Sequence, residues 1–174
     1  MIMKTVRLNS NEYVPYQKMY LDLVHDKPIV SLLLTSLDEF IDFCEAIEPS
    51  KLNFAYSEGK WTVKEVLLHI IDTERVFQYR ALRFSRKDKT ILPGFSESDF
   101  VSCSQANSRS IASLLLQFKA VRMSTIALFE TFNDDVLLLL GNSGENTMSV
   151  RGVGYLVVGH QTHHINIIKA HYLV

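Results

Sequence analysis

The segment TVKEVLLHIIDTERVFQYRALRFS, Thr62 to Ser85, decides the fold class. Its opening Thr62-Val63-Lys64-Glu65 matches a capping box, in which the threonine hydroxyl bonds the Glu65 amide and the glutamate reaches back. Beyond it, Val66, His69, Ile70, Thr73, Phe77 and Arg80 recur at intervals of three and four, along one face of a helix that runs to about Ser85. Such a face must be buried against other elements. Alternating strand patterns are nearly absent from the chain, so those elements are expected to be helices.

Working outward, the same reading finds three more long helices and a shorter one. Towards the N-terminus, a first helix is predicted over Glu12 to Val24, stopped by the Asp26-Lys27-Pro28 turn. Pro28 suits the first turn of a second helix, reaching about Ile47, with Val30, Leu33, Leu34, Leu37, Phe40 and Ile41 as its buried stripe. Pro49 to Lys60 read as a polar loop. Towards the C-terminus, RKDKTILPGFSESDF is a breaker-rich connection centred on Pro93-Gly94. A fourth helix is predicted over Ser108 to Phe132, with Ile111, Leu114, Leu115, Phe118, Val121, Ile126 and Phe129 apolar. Asn133 to Met148 hold a short turn of helix and the loop GNSGENT. Ser149 can cap the last helix, Val150 to about Tyr172. The prediction is an all-α fold: an antiparallel four-helix bundle with an additional short helix, forming one domain over residues 1–174. Its loops are longer than a minimal bundle needs, a common sign of a functional cover.

Composition narrows the function. Hydrophobic residues make up 47% of the chain, charged residues 21%, and the net charge is −1. No block of like charge stands out to neutralise phosphates, so no nucleic-acid partner is expected. The start, MIMKTVRLNSNEY, lacks the apolar core of a signal peptide, and the most apolar runs, such as Val136–Leu140, are too short to cross a membrane. Cys44 and Cys103 are isolated and form no CxxC; they read as reduced and structural, which fits a cytoplasmic location.

The chemistry lies in the histidines. Four of the six fall within GHQTHHINIIKAHYL, Gly159 to Leu173. Residues four apart on a helix are one turn along and about 40° around, so His160 and His164 share a face and can bind one cation. His163 is turned about 60° the other way, and His171 lies about 10 Å beyond His164. A third ligand would have to come from another helix, and His69, on an apolar face between Val66 and Thr73, is the candidate. Taken alone, His69 also fits a core residue hydrogen-bonded to a carbonyl or carboxylate. His25, beside Asp26, reads as a cap or a solvated residue. Glu65 shares the face of His69 but already has a role in the capping box. Asp72 could orient a ligand imidazole, or pair with Arg75 on the surface. Arg80, eleven residues after His69, returns to the same face, where it could meet an anionic substrate group, pair with an acid or lie at the surface. Three neutral imidazoles suit Zn²⁺ or Ni²⁺ better than Mg²⁺ or Ca²⁺, and three protein ligands leave a position open.

The block GKWTVKEVLLHIIDTERVFQYRALR, Gly59 to Arg83, resembles the first signature of the DinB-like superfamily, which includes YfiT-like metal-dependent hydrolases. The family pattern is a Trp, then Ser or Thr, a His eight residues after the Trp and an acid three further on, matched by Trp61, Thr62, His69 and Asp72. The late HxxxH is matched by His160 and His164, and DKTILPGFSESDF resembles the family's Pro-aromatic-acidic loop. The resemblance runs from about Pro28 to the C-terminus. It implies a four-helix bundle, often dimeric, with a divalent metal on His69, His160 and His164. It also implies a small-molecule substrate, with a low-molecular-weight thiol such as bacillithiol or mycothiol as cosubstrate in the thiol transferases. The family's founding name describes induction by DNA damage, not DNA binding. The reaction is left between hydrolysis and thiol transfer, and no catalytic acid or base is assigned. The alternative from another class is a helical binding or dimerisation module with structural or merely metal-binding histidines.

Overall fold

The structure, a computed structural model, describes residues 7–173. The reading of the first six residues as free of a leader's apolar core lies outside them. Four long helices carry the architecture: α2 (Ile29–Glu45), α3 (Val63–Ser85), α5 (Ile111–Phe129) and α7 (Val150–His171), with the short helix α1 (Lys18–Leu21) before them and α4 (Glu97–Cys103) and α6 (Asp134–Leu137) in the connections. The helical bundle is as predicted, with more short elements than the single one expected.

The start of α3 forms as its sequence dictates. Glu65 N–H donates to Thr62 Oγ1 (3.3 Å), and Thr62 N–H donates to Glu65 Oε2 (2.7 Å). The predicted face is buried at Val66, His69, Ile70, Thr73, Phe77 and Arg80. Ser149 caps α7 by accepting from Gly152 N–H at 2.9 Å. Helices α3 and α7 make the most extensive helix pair of the bundle.

The core divides into two apolar layers. One gathers Leu33, Phe77, Phe84, Ile126, Val153 and Leu156. The other gathers Phe40, Leu67, Ile71, Leu114, Phe118 and Ile168. On each long helix one polar residue falls between the two layers: Ser36, Glu74, Arg122 and Gln161. Arg122 is fully buried and donates Nε and Nη2 to the two oxygens of Glu74 (2.8 and 2.9 Å). Its Nη1 donates to Ser36 Oγ (2.6 Å) and its Nη2 to Gln161 Oε1 (2.6 Å). The bundle is thus tied together at mid-height by one guanidinium that reaches all four long helices.

Several expectations are corrected. The first helix does not begin at Glu12; a 3-10 turn over Pro15–Gln17 leads into the four-residue α1. Pro15 has no N–H to donate and holds Val14 extended. The Glu12 carboxylate accepts instead from Arg151 at the start of α7 (2.6 and 2.5 Å). The stripe of α2 is turned from its predicted setting: Leu34 is 45% exposed while Leu32 and Ser36 are buried, because Ser36 must face Arg122. The connection after α3 contains α4, capped by Ser96. The loop GNSGENT is a hairpin, β1 (Leu140–Ser143) and β2 (Asn146–Ser149), turned by Gly144 at φ 57°. Leu92 N–H donates to Asn142 O, and Gly144 N–H to Leu92 O (3.0 and 2.8 Å), laying the Pro93-Gly94 segment beside that hairpin. Cys44 is buried, and burial pushes its thiol pKa up, but Cys103 is exposed. Against the expectation that no segment could cross a membrane, α5 is long and apolar enough by length and composition. In the bundle it packs on α2 and α3 and carries the buried Arg122.

Candidate metal centre

Packing α3 against α7 brings His69 to the HxxxH pair. His69 Nε2 lies 3.0 Å from His160 Nε2, which lies 3.1 Å from His164 Nε2. The three ligand-competent atoms are all within 4.8 Å of one another. His69 and His160 are buried, and His164 is half-buried.

Each imidazole nitrogen has either one proton or one in-plane lone pair. His160 Nε2 therefore cannot make ordinary linear hydrogen bonds to both neighbours, whereas a cation accepting three lone pairs satisfies all three rings at once. Metal–nitrogen bonds of about 2.0–2.1 Å place ligand nitrogens roughly 2.9 Å apart at a right angle and roughly 3.4 Å apart at a tetrahedral one. Two of the three separations, the 3.0 and 3.1 Å to His160, fall in that interval, and the His69–His164 pair lies within 4.8 Å.

Electrostatics keep the rings in the ligand-competent form. Burial lowers the pKa of His69 to about 4. Burial, followed by the neighbouring His69 and His163, lowers that of His164 to about 3. His160, the most enclosed, is pushed well below the ordinary histidine value, first by burial and then by His164. All three are neutral near pH 7.

The surroundings orient the rings. Trp61 packs against His69, centroids 4.9 Å apart, and is held by Tyr172 Oη donating to Trp61 O at 2.9 Å. Tyr20 meets His160 and His163 edge-on at 5.5 and 5.0 Å. That contact requires α1 to cross α7 closely at Gly159, where a Cβ would lie 2.4 Å from Tyr20 O. His69 Nδ1 has Thr73 Oγ1 at 3.5 Å, so Thr73, rather than Asp72, is the side chain placed to hold that nitrogen. Asp72 makes no hydrogen bond or ion pair among the described residues; burial raises its pKa, and Arg75 and Arg109 pull the other way. Glu65 is engaged in the cap and accepts from Asn107 Nδ2 (3.1 Å). His163 stays outside the trio, His171 is exposed and stacks on Tyr56, and His25 is exposed.

His160 forms part of the wall of a cavity of about 230 Å³, with Tyr20, Thr73, Phe77, Arg80 and Met148 among the lining. The sequence reading missed Tyr20 and the Ser36–Glu74–Arg122–Gln161 layer. A polar residue on the apolar face of each of four helices was the available signal.

The bundle and its converging imidazoles define a helical protein with a metal-competent three-histidine centre opening on a cavity. The chain belongs to the DinB superfamily, whose family model matches residues 32–168. Its fold is that of YfiT from Bacillus subtilis, described as a probable metal-dependent hydrolase with an unusual four-helix bundle topology. The two align with a TM-score of 0.73 at 16% identity, over 95% of this chain and 91% of YfiT. The mycothiol-dependent maleylpyruvate isomerase aligns with a TM-score of 0.62 at 8% identity, over 84% of this chain and 61% of its own. The DinB-like protein YjoA of Bacillus subtilis aligns with a TM-score of 0.58 at 16% identity, over 83% and 89%. At these identities the likeness is one of fold. No curated protein matches the chain by sequence.

Proposed function

We propose that His69, His160 and His164 hold a divalent metal ion, Zn²⁺ or Ni²⁺, and that the chain is a metal-dependent enzyme acting on a small molecule. The observation that carries this is the meeting of three neutral imidazoles, two buried and one half-buried, with His160 at the wall of a cavity. The described relatives support it: one is a probable metal-dependent hydrolase and one a thiol-dependent isomerase. A bound ion would lower the pKa of a coordinated water or low-molecular-weight thiol, supplying a nucleophile near neutral pH for hydrolysis or for transfer to an electrophile.

The chain's own residues do the rest. Thr73 and Trp61 hold the His69 ring so that its Nε2 lone pair points at the centre. The α7 backbone fixes the other two rings one turn apart. Tyr20, Phe77 and Met148 give the cavity an apolar wall that restricts water around the reacting group. Among the described residues Glu97, at the exposed rim, is the one carboxylate in the cavity lining. In this reading the nucleophile is the water or thiol that the ion would activate, and not a side chain of the cavity.

The test is elemental analysis of protein purified without an affinity tag, for wild type and for His69→Ala and His164→Ala. About one ion per wild-type chain, lost in both variants, supports the reading. Equal metal in all three, or none in a wild type offered Zn²⁺ or Ni²⁺, refutes it. Turnover of an electrophile that requires added thiol selects transfer, and turnover without thiol selects hydrolysis.

A further inference from the structure

We propose that Arg80 anchors a carboxylate of the small molecule that enters the cavity, so that the histidine centre acts on carboxylate-bearing ligands. This rests on the metal reading for the reacting end only; the anion subsite is argued independently from Arg80.

Arg80 is 9% exposed, yet among the described residues it forms no ion pair, and its buried Nε has no hydrogen-bond partner. The contrast within the same bundle is Arg122. That guanidinium, fully buried, is satisfied by Glu74, Ser36, Gln161 and a main-chain carbonyl. This fold meets the donors of a buried structural arginine in full. A guanidinium left with an orphaned donor at a cavity wall is placed for something that is not part of the chain.

The geometry links it to the histidines. Thr73, Phe77 and Arg80 continue along α3 the face that His69 begins, and all three line the cavity that His160 also lines. Phe77 touches both ends: its ring centroid is 5.9 Å from Arg80 Cζ and 6.1 Å from the His160 ring. A ligand lying along Phe77 would present an anionic group to Arg80 and its reacting group to the imidazoles. The Phe77 ring between them, with Tyr20 and Met148 also in the lining, suits a short hydrocarbon spacer.

The charge count selects the anion. One guanidinium neutralises one negative charge, and Glu97 at the rim opposes a second, so a carboxylate fits better than a phosphate dianion. The volume of about 230 Å³ is small for a ligand pocket, so the group that enters is compact. The carboxylate can belong to the electrophile or to the thiol cosubstrate.

Two measurements test this. In metal-free protein, the Arg80 Nε–H resonance, assigned by its loss in Arg80→Met, should shift saturably with butyrate and stay still with 1-butanol. In Co²⁺-loaded protein, the thiolate-to-cobalt absorption should half-saturate with 3-mercaptopropionate at a concentration about tenfold or more below that for neutral 2-mercaptoethanol. The ratio should fall to about one in Arg80→Met and be partly kept in Arg80→Lys. A low ratio in wild type with a clear butyrate shift assigns the carboxylate to the electrophile and supports the proposal. If Co²⁺ gives no band, the metal reading fails and the butyrate titration alone decides. Absence of a butyrate shift, a wild-type thiol ratio of tenfold or more that Arg80→Met leaves unchanged, or tighter binding of inorganic phosphate than of butyrate overturns it. Should Arg80→Met not fold, wild type and Arg80→Lys carry the same decision.

Discussion

Replacing Arg122 by methionine tests what holds the four helices in register. Methionine keeps most of the stem's volume and apolar contact while removing the guanidinium. The loss is five hydrogen bonds, made to Glu74 twice and to Ser36, Leu33 O and Gln161 once each, at 2.6 to 3.2 Å. It leaves the Glu74 carboxylate, 2% exposed, without a partner among the described residues. Removing one member of a buried ion pair typically costs about 3–5 kcal/mol. For a domain of this size that is a fall in Tm of roughly 6–20 °C. Urea unfolding followed by far-UV circular dichroism, with chelator present to remove linkage to metal, reads the difference directly. The double variant Arg122→Met with Glu74→Leu should recover part of the loss, since a buried pair is worth little against well-packed apolar side chains. It should remain about 1–3 kcal/mol below wild type, because Gln161 and Ser36 still lose their partner. A single variant within about 1 kcal/mol of wild type would refute the claim that this layer is structural. So would a double variant no more stable than the single.

Metal-free protein should be stable and pH-independent just above pH 7 and lose stability as the pH falls from about 7 towards 4. His69 and His164 are held at about 4 and about 3, below the ordinary value of 6.5, so the unfolded chain takes up protons first. Each imidazole contributes a slope of up to about 1.4 kcal/mol per pH unit in that window, and a flat profile in chelator between pH 7 and 5 would contradict the burial. Thr62→Ala removes the cap of α3 and should cost about 1 kcal/mol in urea unfolding, with metal stoichiometry unchanged. Gly159→Ala places a methyl group against Tyr20 O and should displace α1, seen as faster amide exchange over residues 15–24; unchanged exchange there would show that the crossing is not tight.

Local signals determined much of this protein. Spacing of three and four, a threonine three residues before a glutamate, and a serine before Val150 are enough to start α3 and α7 correctly, because capping and amphipathic burial act within one or two turns. The HxxxH geometry of His160 and His164 is likewise a property of one helix. What the sequence left open needed distance. Whether His69 meets that pair depends on how α3 packs against α7, ninety-one residues on. The facing of α2 was decided by a serine answering an arginine eighty-six residues away, so an apolar stripe alone turned it the wrong way. The strands of the GNSGENT hairpin are too short and polar to show a pattern, and form where the chain from Leu92 pairs alongside. Arg80 has the same neighbours in sequence whether paired, solvated or waiting for a ligand. That its Nε finds no hydrogen-bond partner among the described residues is a fact of tertiary structure, because burial and hydrogen-bond satisfaction are set by everything that packs around a residue and not by the helix it stands on.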